Sequence, residues 1–143
     1  MSEAGFTIHV DAKPLLDQVM ETSLDAIKKY GQLMPRAATM APDGAISVIM
    51  SDGEGSLEMI DNIFQGLQKL AKEGKCKATC VGYDIRLRQP NGAAIDAICI
   101  DIEHIEDRPL RMVVPYKRGW FGRTTFYEFV QHDPQPRVFN ANG

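Results

Sequence analysis

Cysteine is scarce in this chain: Cys76, Cys80 and Cys99 are too few and too unevenly placed for a disulfide framework. Long apolar runs are missing as well, and none approaches the roughly 20 residues that a membrane-spanning helix needs. The first ten residues lack the basic segment and apolar core of a secretion signal. Together these absences make the cytoplasm the expected location and exclude a membrane partner from the expectations. Charge of one sign is equally short. Sixteen basic residues against 19 acidic ones leave a net charge of -3, with no domain-wide field to hold a phosphate backbone, so nucleic acid is not an expected partner. There is one tryptophan, Trp120, and no internal repeat, low-complexity block or break in composition divides the chain.

What is present is ordinary globular material, 44% hydrophobic and 24% charged. A chain of 143 residues buries roughly two-thirds of its unfolded surface without help from a metal or disulfide. The expectation is one domain over residues 1–132, followed by a flexible tail over 133–143 that holds two prolines and little apolar content.

The periodicity predicts an α+β fold: one mainly antiparallel sheet of five to six strands with two amphipathic helices. Phe6, Ile8 and Val10 alternate as a short edge strand or arm. Leu16, Val19, Met20, Ile27 and Tyr30 recur at helical spacing, with Pro14 suited to the first turn and Gly31 to a left-handed cap. A hairpin over residues 36–50 follows, turning at Ala41-Pro42-Asp43-Gly44. Residues 51–56 form a connector, with Ser56 as the expected N-cap of the second helix. Ile60, Ile63, Phe64, Leu67 and Leu70 stripe that helix, and Gly74 ends it. Residues 77–88, 93–105, 110–116 and 124–130 predict four further strands.

Counting Gln89-Pro90-Asn91-Gly92 as a four-residue loop sets Val81, Tyr83 and Ile85 across from Ile98, Ile100 and Ile102, because an even loop preserves the face. One face then holds large aliphatic residues and takes the helices. The other gathers Ala78, Cys80, Gly82, Ala97 and Cys99 into a patch of small residues, unlike a solvated sheet face. Something is expected to cover it, either a helix of the same chain or a second copy, and the patch is the expected homodimer interface. The same register puts Arg111 beside Glu103 as an exposed cross-strand pair.

Candidate chemistry is sparse. Cys76 and Cys80 are about 13 Å apart if extended, too far to share a zinc ion, so no metal and no cofactor are expected. Asp101, Glu103 and His104 are suitable types for acid–base work, but in a strand His104 points away from both carboxylates. Gly53-Glu54-Gly55-Ser56 before a helix fits no phosphate-binding fingerprint and carries repelling acids. Residues 117–123 stand out: Arg118, Trp120, Phe121 and Arg123 combine aromatic and guanidinium groups as recognition hot spots do. The competing expectation is that Trp120 and Phe121 fold back to seal the core, because a small domain seldom exposes its only tryptophan.

The order helix–hairpin–helix–strands resembles the roadblock and longin class of dimerising domains, which implies a sheet order of 2-1-5-4-3 counted from Arg36. This chain departs from that class by ending in a further strand rather than a helix. Leu33-Met34-Pro35 to Gly44, Val81-Gly82-Tyr83-Asp84-Ile85-Arg86, Asp96-Ala97-Ile98, Glu103-His104 and Val114-Pro115-Tyr116 resemble small bacterial proteins without an assigned activity, a likeness that carries over no functional residue. The expected function is therefore a non-enzymatic protein-association domain, acting as a homodimer or on another protein. An enzyme or ligand-binding protein is the second expectation, with a site between the sheet and the Trp120 loop and Asp101, Glu103 and Arg111 as its polar groups. An immunity-type inhibitor using acidic surface is the third.

Overall fold

The computed structural model describes residues 8–50 and 56–139; Phe6 and the connector 51–55 lie outside them. Helix α1 (Lys13–Tyr30) starts with Pro14 in its first turn, where a missing N–H costs nothing, and ends at Gly31 in the left-handed conformation. Strands β1 (Arg36–Met40) and β2 (Ile46–Met50) form the first hairpin. Helix α2 (Ser56–Lys72) then leads to β3 (Ala78–Arg88), β4 (Ala94–His104) and β5 (Leu110–Arg118). A short 3-10 turn (Trp120–Gly122) precedes β6 (Thr124–Phe126) and β7 (Val130–His132). The segment around Ile8 and Val10 is not a strand. No helix among the described residues is long and apolar enough to cross a membrane.

All seven strands join one antiparallel sheet in the order β2-β1-β3-β4-β5-β6, with β7 also on β5. The order 2-1-5-4-3 is therefore not found. Strand β1 pairs with β3, Ala38 opposite Cys80, and the later strands follow as successive hairpins.

The β1–β2 and β3–β4 hairpins turn by the same chemistry. In Ala41-Pro42-Asp43-Gly44-Ala45 the Ala41 N–H bonds to the Ala45 carbonyl at 2.8 Å, and the Gly44 N–H returns to Ala41 at 2.8 Å. Gln89-Pro90-Asn91-Gly92-Ala93 repeats this, Gln89 to Ala93 at 2.8 Å and Gly92 to Gln89 at 2.9 Å. In each turn the Asx side chain accepts the alanine N–H, at 3.0 Å from Asp43 and 2.9 Å from Asn91. Gly44 (φ 96°) and Gly92 (φ 88°) occupy the left-handed position that a three-residue hairpin loop demands.

An odd loop overturns the expected register. Val81 lies opposite Asp101, Tyr83 opposite Cys99 and Ile85 opposite Ala97. Each face of the sheet therefore mixes small and large residues, and each is covered by one helix. Beneath α1 lie Ala38, Ala78, Cys80, Ile98, Ile100, Ile102, Met112 and Val114. On the opposite face Ala37, Val81, Tyr83, Ala97 and Cys99 pack with Ile60, Ile63, Phe64 and Leu67 of α2. The close approach of α1 is possible because Gly82 has no side chain: a Cβ there would sit 2.7 Å from Val19 Cγ1 and 3.0 Å from Ser23 Oγ.

Within the expected tail, the last described residues pack against the core. Val138 and Phe139 are 5% and 6% exposed and belong to the α2-side core. The Arg137 guanidinium lies 3.6 Å over the Phe64 ring.

Candidate functional site

Strands β3 and β4 meet at one end of the sheet, where β5 runs out into the Trp120 turn. The Gly119 N–H donates to the Arg123 carbonyl at 2.6 Å and closes that turn. Trp120 is 87% exposed, so it does not seal the core. The Phe121 side chain lies outside the described residues. Beside the turn opens a cleft of about 780 Å³ lined by Arg86, Ile95, Asp96, Tyr116, Lys117 and Tyr127 among others, a volume in the range of ligand sites.

Positive charge lines it from two strands, with Arg86 on β3 and Lys117 and Arg118 on β5; Arg88 and Arg123 follow close by in sequence. Among the described residues Arg86 alone of these has an ion-pair partner, Asp96 at 3.2 Å. Arg118 has a structural task too. Its guanidinium lies against Gly31, where a Cβ would meet Nη1 at 1.7 Å, so it braces the Trp120 turn against the negative end of α1. Below, the Tyr116 hydroxyl donates to Asp84 at 2.8 Å, and burial pushes the Asp84 carboxyl up.

Asp101, Glu103 and Arg111 are not part of this cleft. They lie under α2 and the C-terminal segment, the two carboxylates buried and Arg111 half-buried, rather than as a solvated pair. Asp101, 4% exposed, accepts from Arg111 Nε at 2.6 Å and Nη2 at 3.3 Å, and from the Tyr83 hydroxyl at 2.5 Å. The changed partner comes from the β4–β5 register, in which Leu110 pairs with Ile102 and Arg111 therefore faces Asp101 across the ladder rather than Glu103. Hydrogen bonding to Asp101 holds the Arg111 guanidinium firmly charged. Glu103, 5% exposed, accepts the N–H groups of Arg137 (2.8 Å), Val138 (3.0 Å) and Phe139 (3.1 Å). Every oxygen of both carboxylates has a partner, which makes the network a clamp between β4, β5 and the C-terminal segment.

A third cluster, which the sequence spacing concealed, occupies the other end of the sheet. The rings of His9 and His104 stack at 3.6 Å with 13° between their planes. His9 Nδ1 accepts the Asp11 N–H at 3.1 Å, and His104 Nδ1 accepts the Glu106 N–H at 2.9 Å. His104 Nε2 lies 3.0 Å from Asp11 Oδ2, which Lys77 Nζ also approaches at 3.3 Å. The bond from His104 lowers the Asp11 pKa. His9, His104 and Glu106 bring candidate ligand atoms within 4.8 Å of one another. Parallel stacked rings cannot both hold one ion in plane, however, and both Nδ1 atoms are already bonded. The cluster ties the segment before α1 to the end of β4.

The five small residues expected at an interface are divided by the sheet. Ala78 and Cys80 are fully covered by the α1 layer, with Gly82 at its closest contact; Ala97 and Cys99 lie under α2. The covering layers come from the same chain. Burial pushes the Cys99 thiol up to about 11, with the Asp101 charge adding to it, and raises Cys80 and Cys76 in the same direction. None of the three is a thiolate at neutral pH, so none is an activated nucleophile.

No family model, no curated protein and no solved structure matches this chain.

Proposed function

We propose that this chain is a protein-association domain whose recognition site is the cleft beside Trp120, and that it takes an acidic segment of a partner protein. The observation that carries this reading is the sole tryptophan, 87% exposed in the turn that directly follows the cleft-lining Lys117 and Arg118, in a chain of net charge -3. An exposed indole has no folding role that would retain it, whereas aromatic and arginine groups anchor interfaces. The partner must be acidic because Lys117 and Arg118 line the cleft and have no ion-pair partner among the described residues. Tyr127, 45% exposed, adds a second flat apolar surface.

Free protein is expected to emit tryptophan fluorescence at a water-like wavelength, fully open to iodide quenching. On an array of synthetic peptides graded in acidic content, binding should rise with Glu and Asp number and fall steeply with salt. Trp120→Ala should leave the melting temperature unchanged and weaken the best peptide by at least about tenfold, the loss typical of an anchoring aromatic. A blue, unquenchable emission, or peptide binding indifferent to Trp120→Ala, would sink the proposal.

A further inference from the structure

We propose that β2 is a self-pairing edge, through which two copies of this chain join their sheets into one. This goes beyond recognition at the Trp120 cleft, which lies at the end of the sheet rather than along its margin.

The two margins of the sheet are built differently. On one side β5 is covered by two strands of three residues each, β6 and β7, and very short edge strands are a common protection against unwanted pairing. On the other side stands β2, five residues long, with no strand beyond it among the described residues. It lacks two of the usual protections: Ile46-Ser47-Val48-Ile49-Met50 contains no charge and no proline. Ile46, Val48 and Met50 share one face and are 42%, 55% and 55% exposed. Met34, just ahead of β1 and 49% exposed, extends the apolar strip past the Met50 end, since Met50 pairs with Arg36.

The partner that fits is a second copy. A two-fold axis through Val48 makes the two strands antiparallel. It sets Ile46 against Met50 of the second copy, Ser47 against Ile49, and Val48 against its own counterpart. Each exposed apolar side chain then meets an apolar one, and no charge is desolvated. Copies that each carry -3 approach with least repulsion at a margin that bears no charge. The strip and the main chain of five residues would bury on the order of 1,000 Å² in total, the lower end for a specific interface. An interface of that size is of the weak, transient class, and the dimer should be populated only at high concentration.

Light scattering over a series from low micromolar to millimolar concentration tests this. The wild-type mass should climb from one chain to two and stop there, and Trp120→Ala should follow the same curve. Val48→Lys, at an exposed position that tolerates lysine, places two like charges together at the axis. It should read one chain even at concentrations about 100-fold above the wild-type midpoint, with an unchanged melting temperature. Amide exchange gives an independent reading without substitution: protection of residues 46–50 should grow with concentration while that of β6 does not. A wild-type mass of one chain throughout overturns the proposal. So does a mass that grows past two chains, or a dimer that persists in both Val48→Lys and Val48→Pro.

Discussion

Arg111→Met should lower the unfolding free energy by about 3–5 kcal/mol, the cost of stripping one partner from a buried charge pair. Asp101 is 4% exposed and takes two of its hydrogen bonds from Arg111, at 2.6 and 3.3 Å. Methionine keeps the length of the stem but leaves the carboxylate with the Tyr83 hydroxyl and an Arg137 guanidinium 3.9 Å away. These remaining partners place the expectation toward the lower end of the range. Asp101→Asn in the same background removes the uncompensated charge and should restore part of the loss, so the double variant should be more stable than Arg111→Met alone. Urea unfolding of the wild type and the three variants measures all the terms. A loss below about 1 kcal/mol for Arg111→Met would mean that the pair behaves as a solvated surface bridge, as the sequence register had implied.

A chain ending at Pro136 should lose several kcal/mol and, for a domain of ordinary stability, fail to hold the α2 layer. Val138 and Phe139 together account for about 3–6 kcal/mol of apolar burial. Their removal also uncovers Phe64, over which Arg137 lies at 3.6 Å. Glu103 would lose the N–H groups it accepts at 2.8–3.1 Å and stand as a buried charge without partners. Phe139→Ala separates the packing share, with an expected loss of about 3–5 kcal/mol. Glu103→Gln separates the electrostatic share, because an amide can accept from only one of its two ends. Thermal unfolding of the shortened chain within a few degrees of the full one would show that residues 137–139 rest on the surface without holding it.

Much of this fold is legible in the sequence wherever local chemistry decides it. Both helices follow from apolar spacing with Pro14, Gly31 and Gly74 as punctuation, and β1 to β5 lie near their expected positions, whereas the one strand expected over 124–130 is two short ones, β6 and β7, and residues 8–10 form none. Register was not legible from loop length alone. Pro90-Asn91-Gly92 looks like the core of an even loop until the Gln89–Ala93 bond is known, and a shift of one residue exchanges the faces of a whole strand. The twin Pro-Asx-Gly-Ala runs carry the missing signal, since a left-handed glycine closing a three-residue loop implies an odd count. The division of the small residues and the placing of Asp101 on the Tyr83 face follow from that correction, whereas the Arg111 partner follows from a two-residue shift between β4 and β5.

Other features depended on distance in sequence. His9 and His104 meet because the segment before α1 returns to the end of β4, and spacing carries no trace of that. Residues 137–139 read as polar and proline-bounded, and their burial depends on Glu103 supplying acceptors from 34 to 36 positions earlier. For Trp120 the sequence supports both an exposed recognition role and an inward fold, and the closed turn that Arg118 braces against α1 leaves it exposed.

The sheet also acts as a partition. Val19 and Ile27 of α1 belong to one layer, Phe64 and Leu67 of α2 to the other, and only backbone and hydrogen bonds stand between them. Damage on one side is therefore felt on the other only through the strands themselves, so defects in opposite layers should sum as strangers do, while defects sharing a layer should interfere. The protein can drift in one half of its interior while the other half keeps its packing, which leaves each helix to accumulate change at its own pace.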